Sequence, residues 1–106
     1  MSLDAYLTVG EEEVYWFNIT HNLTDMADSI DLYEPMWHPE RLGITKASEL
    51  IEPLEKALVR MAPNLHDLRE HEPDNGWGTA DDLLRVTSQY LEACRKFPDA
   101  DVLTCT

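Results

Sequence analysis

Leu3-Asp4-Ala5-Tyr6-Leu7-Thr8-Val9, then Gly10-Glu11-Glu12-Glu13, then Val14-Tyr15-Trp16-Phe17-Asn18-Ile19-Thr20-His21 is the stretch on which the fold turns. The first run alternates apolar and polar side chains, and the second is rich in aromatic and β-branched residues. This pattern predicts two strands joined at a glycine-containing acidic tip, a β-hairpin. Side chains alternate across a strand, so Tyr15, Phe17, Ile19 and His21 share one face and Trp16, Asn18 and Thr20 the other. Both faces carry aromatics, and full exposure of either is costly.

Downstream of the hairpin the period changes. Leu23, Met26, Ala27 and Ile30 recur at helical spacing, with Thr20 or Asn22 as the cap of a short helix. Tyr33-Glu34-Pro35-Met36-Trp37-His38-Pro39 holds two prolines around two large apolar side chains and predicts an ordered loop that docks its aromatics. A helix then carries Ala47, Leu50, Ile51, Leu54, Leu58 and Met61 on one stripe, with a kink at Pro53 and an end at Pro63. Asn64 to Arg69 has room for one or two further turns. After the turn-forming Pro73 to Gly78, Thr79 and Asp82 form a capping pair for a helix with the stripe Leu83, Val86, Thr87, Tyr90, Leu91 and Cys94, ending before Pro98. Val102-Leu103-Thr104-Cys105-Thr106 reads as a third strand, which a hairpin needs because two strands alone are marginal. The expected fold is α+β, a single domain over residues 1–106: an N-terminal β-hairpin, three or four helices, and a C-terminal strand completing a small antiparallel sheet.

The 106 residues include 21 acidic and 8 basic side chains, a formal charge of -13. Such a chain repels nucleic-acid backbones, and its scattered Lys and Arg form no cluster that would displace counterions, so direct DNA or RNA binding is excluded as a class. The same charge favours basic protein partners or cations. No run reaches the roughly 18 apolar residues of a membrane helix and no signal-peptide pattern opens the chain, which places it in the cytoplasm. In that setting the sequons at Asn18 and Asn22 are coincidental, and Cys94 and Cys105, with no CxxC spacing, are free thiols.

The densest polar cluster is Asn18-Ile19-Thr20-His21-Asn22-Leu23, where a strand gives way to a helix and free backbone N–H groups converge. It can hold a polar ligand, or Thr20 and Asn22 can simply cap the helix while His21 meets a buried carbonyl. Trp37 and the Asn75-Gly76-Trp77-Gly78 turn are the other candidates: aromatics flanked by glycines can stack on a flat ligand, or the same rings can pack over a small core. The ligand-binding set under consideration is thus Asn18, Thr20, His21, Asn22, Trp37, Asn75 and Trp77. No metal-ligand spacing, phosphate-cradling loop or activated nucleophile stands out, so no catalytic residue, metal site or cofactor is assigned, and an enzyme is the weaker expectation.

The string Asn-Ile-Thr-His-Asn-Leu, with Trp37-His38-Pro39, Asn75-Gly76-Trp77-Gly78 and Tyr90-Leu91-Glu92-Ala93-Cys94, resembles a family of small, functionally uncharacterised proteins of tailed bacteriophages and prophages. The similarity runs from about Asn18 to about Asp101. This chain departs from the family pattern at His38, where Arg is usual, and at Ala80, where an aromatic is usual. The resemblance implies a phage accessory protein made in a bacterial cytoplasm and carries no activity with it. Two readings follow. One is a small-molecule binding or sequestering module for a nucleotide-like ligand, built on the seven residues above. The other is an acidic protein-interaction module that engages a basic host factor, as in counter-defence or nucleic-acid mimicry, through Glu11, Glu12, Glu13, Asp25, Asp28, Asp31, Asp81 and Asp82. The aromatic strand face also admits a homodimer.

Overall fold

The computed structural model describes residues 2–70 and 78–106. Strand β1 (Ser2–Val9) turns through Gly10 and Glu11 into β2 (Glu12–Thr20). The tip is two residues long, shorter than the acidic run suggests, and Glu12 and Glu13 already belong to β2. Gly10 takes φ 63, the left-handed conformation that a two-residue hairpin turn asks of its first position. Val14 is the extra residue of a bulge, because Leu7 pairs with Tyr15 while Thr8 pairs with Glu13. Strand β3 (Asp101–Cys105) pairs antiparallel with the other edge of β1, giving the sheet order β2-β1-β3.

The alternation of β1 is realised from Leu3 to Leu7: Leu3, Ala5 and Leu7 are completely buried, and the residues between them face outward, while Val9 at the tip is exposed. Beneath the inner face lie the helices. A 3-10 turn at His21–Leu23 leads into α1 (Thr24–Asp28), and α2 (Tyr33–Trp37) follows. After 3-10 turns at Pro39–Leu42 and Ala47–Leu50 come the two long helices α3 (Ile51–Glu70) and α4 (Ala80–Lys96). These two pack antiparallel, pinned at one end by Arg69 to Asp81 at 3.3 Å and at the other by Arg95 to Glu55 at 2.9 Å. Every residue of the α4 stripe, Leu83, Val86, Thr87, Tyr90, Leu91 and Cys94, is buried. Its start is set by Thr79 and Asp82, each side chain bonded to the other's backbone N–H. Tyr90 joins α4 to the sheet, its ring 4.7 Å from that of Phe17 in an edge-to-face contact.

Three expectations are corrected. The segment from Tyr33 is a short helix rather than a loop, because Pro35 falls in the first turn, where a missing N–H costs nothing. Helix α3 does not end at Pro63 but runs through it to Glu70. Met61 is fully buried before the proline and Leu68 is almost fully buried after it, so packing holds both halves on one axis. The bond that Pro63 removes would have used the carbonyl of Val59, a residue on the solvent side, and the Asn64 amide donates to the neighbouring Arg60 carbonyl at 2.9 Å. The kink expected at Pro53 is likewise corrected: Pro53, like Pro35, lies in a first turn, where it removes no intrahelical bond.

Candidate functional site

The strand-to-helix junction is built from Thr20 outward. Thr20 is extended, with φ -69 and ψ 142, and its hydroxyl accepts the Asn22 N–H at 3.2 Å, which caps the 3-10 turn. Asn22 itself is exposed. His21 is partly buried, and its Nε2 is enclosed without a hydrogen-bond partner. Asn18 points the other way, onto the outer face of the sheet. There its amide donates to Ser2 Oγ at 2.8 Å, Asp4 Oδ1 at 2.9 Å and the Leu3 carbonyl at 3.3 Å, lacing β2 to β1. Trp37 lies inside the core at 1% exposure, stacked on Tyr33 with ring centroids 5.8 Å apart.

Thr20, His21 and Asn22 are therefore neighbours, whereas Asn18 and Trp37 lie on opposite sides of the sheet surface and do not converge with each other. Asn75 and Trp77 lie outside the described residues. Their turn's last residue, Gly78, is described, and it sits directly on the junction: a Cβ there would fall 2.8 Å from Thr20 Cγ2 and 3.0 Å from Leu23 Cγ. Gly78 and the Thr20–Leu23 junction, more than fifty residues apart in sequence, thus meet in space.

A second feature lies across α1 and α2. Two adjoining shallow depressions, of about 240 and 300 Å³, share Asp28 and Tyr33 and are bordered by Asp25, Asp31 and Glu34. Asp31 turns the chain between the two helices with φ 58, a conformation that Asp tolerates better than most residues. Its carboxylate lies 3.5 Å from the Arg60 guanidinium. Among the described residues no ion pair engages Asp25, Asp28 or Glu34. The other acids of the interaction reading divide differently. Glu11, Glu12 and Glu13 are exposed at the hairpin tip, Asp81 is taken by Arg69, and Asp82 is taken by the helix cap and by Arg85 at 3.6 Å. Glu34 escaped the sequence reading, although its spacing of three from Asp31, which itself follows Asp28 and Asp25 at the same interval, was there to see.

Among the described residues no group of three or more His, Cys, Asp or Glu side chains is placed to hold a metal ion, and no helix is long and apolar enough to cross a membrane. Both cysteines are free; Cys94 is buried and Cys105 exposed. Burial pushes the Cys94 thiol up to about 12 from its ordinary value of about 9. Burial likewise raises the Tyr90 hydroxyl, whose oxygen has no hydrogen-bond partner. In both cases the fold favours the neutral form, so the stabilisation is complete below the unfolded pKa and declines as pH rises through the folded one. For Cys94 that window opens near pH 9 and closes near 12. Native protein treated with iodoacetamide at mildly alkaline pH is accordingly expected to take one label, at Cys105, and a second only on unfolding. Rapid labelling of Cys94 in the folded state would contradict the placement of α4.

Comparison with protein-family models, curated proteins and solved structures finds no match to this chain.

Proposed function

We propose that the protein is an acidic interaction module whose α1–α2 face receives a basic site on a partner protein. The observation that carries this reading is the set Asp25, Asp28, Asp31 and Glu34 around the Tyr33 ring, of which Asp31 alone has a basic neighbour within 4 Å among the described residues. In a chain of charge -13 such unmatched carboxylates repel one another, and an incoming Lys or Arg relieves that repulsion. Tyr33 offers an aromatic face on which a cationic side chain can stack. The phage-like setting implied by the resemblance is compatible with a host protein as that partner, in counter-defence or in mimicry of a nucleic acid.

The small-molecule reading has less support. Thr20 is occupied as a cap, Asn18 is satisfied by β1, and Trp37 offers no surface to a ligand. Neither depression approaches the enclosure of a typical ligand pocket.

The test is immobilised protein exposed to bacterial host lysate at low ionic strength. A retained basic protein should be released at about 0.5 M NaCl, where exposed charges are screened beyond a few ångströms. The triple variant Asp25→Asn, Asp28→Asn, Glu34→Gln should retain it at least about tenfold less while keeping its circular dichroism and melting temperature. Retention that ignores both salt and the triple variant would refute the assignment.

A further inference from the structure

The two edges of the sheet are treated differently. The edge of β3 is obstructed: Lys46 bridges to Asp101, Thr45 accepts the Val102 N–H at 3.0 Å, and the Lys46 ammonium lies 2.6 Å from the Asp101 carboxylate. Strand β2 is nine residues long and pairs only with β1 among the described residues. In an antiparallel ladder alternate residues turn both N–H and C=O away from the partner, so β2 presents a row of unpaired groups along its far side. Proteins usually blunt such an edge with charge, proline or a bulge. Here the bulge and Glu12 and Glu13 guard only the tip, and Val14 through Thr20 carry no charge, proline or glycine. In a chain of charge -13 this is an unusually neutral stretch to leave open.

We infer that a second copy of this chain adds to the free edge of β2, antiparallel about Phe17, joining two three-stranded sheets into one of six strands. Charge sets the direction, and the self-complementary register the occupant. The antiparallel arrangement sends the Glu11–Glu13 triads to opposite ends, each alongside the uncharged Thr20–Asn22 end of the other copy; a parallel one would set the triads against each other. Centred on Phe17, the pairing opposes Tyr15 to Ile19 and Trp16 to Asn18, keeping core-facing residues on the core side and outward residues on the other, with the bulged Val14 beyond the matched stretch. Tyr15 against Ile19 is an aromatic to β-branched pair of the kind that stabilises sheets. The two Trp16 rings become diagonal neighbours, within aromatic reach. That covers a side chain left 50% exposed at the end of a row in which Trp16, Tyr6 and Leu103 run across the outer face. An edge this short buries less than the roughly 800 Å² per partner of a standard interface, so the dimer is weak, with dissociation in the micromolar range. This inference is independent of the acidic-face reading and uses none of its residues.

Sedimentation velocity over about 1 to 200 µM should show a monomer–dimer equilibrium, and Trp16→Glu should weaken it at least about tenfold, since a charge at an open edge blocks pairing. Leu103→Glu, on the same outer face but on the far strand, should leave it intact. Hydrogen exchange on the unsubstituted protein gives an answer that does not depend on any variant folding: amides in Val14–Thr20 should exchange more slowly at the higher concentration, and those of β3 should not change. A monomer at every concentration, or added protection in β3 instead of β2, overturns the inference. So does loss of the dimer in both variants, which would mean that the outer faces stack rather than the edges pairing.

Discussion

Gly78→Ala is expected to lower folding stability by about 3 kcal/mol, read as a fall in the denaturant midpoint at unchanged slope. Two effects add. Gly78 has φ 95, where any side chain strains the backbone, and the new Cβ would stand 2.8 Å from Thr20 Cγ2 and 3.0 Å from the fully buried Leu23. Leu23 is locked in the core and Thr20 is held by its bond to Asn22, so neither can withdraw cheaply. The steric share can be isolated. Thr20→Ser keeps the capping hydroxyl but deletes Cγ2, and in the Gly78→Ala background it should return about 1 kcal/mol while costing the unsubstituted protein less than that. A loss under about 0.5 kcal/mol for Gly78→Ala would mean that the approach of Gly78 to the junction is wrong.

Trp37→Ala is the other large effect, about 4 kcal/mol, the usual cost of emptying a buried aromatic site and a substantial part of the stability of a domain this size. Trp37 is among the largest fully enclosed side chains, and Tyr33 stacks upon it. The experiment also separates two roles for this residue. A ring that served a surface ligand would leave the melting temperature nearly untouched when removed; a ring that fills the core would not. Trp37→Phe should cost under about 2 kcal/mol, because it keeps a flat ring and removes an indole N–H that is buried without a partner. If the Ala variant melts within a degree or two of the parent protein, the core assignment of Trp37 fails.

The sequence was most informative where one local rule governs. Alternation in Leu3, Ala5 and Leu7 gave β1, and its faces are those observed. The α4 stripe and its Thr79–Asp82 cap were equally plain, since both depend on residues within a few positions of each other. Proline was misjudged at Pro35, Pro53 and Pro63 because its effect depends on what surrounds it. Pro35 is harmless in a first turn, and Pro63 is overridden by Met61 and Leu68 packing on either side of it. The Asn18 to Asn22 cluster was visible as composition, and alternation already set Asn18 on the face opposite His21, but only the register of β2 on β1 gives its amide to Ser2 and Asp4. The meeting of Gly78 with Thr20 is a contact between distant segments that no local pattern encodes.

The central strand of the sheet is the first to be synthesised and the last to be completed. β1 finds β2 across a two-residue turn, but its other neighbour begins only at Asp101, with residues 21–100 between. At a translation rate of about 5–20 residues per second, β1 waits several seconds with one edge bare while the helices form behind it. The hairpin can close early and cheaply, whereas docking of β3 must meet the entropy of closing a long loop. Arrival of the final strand is thus the step that commits the chain, and a ribosome stalled before Asp101 would hold a hairpin and helices whose central strand is still open to the wrong partner.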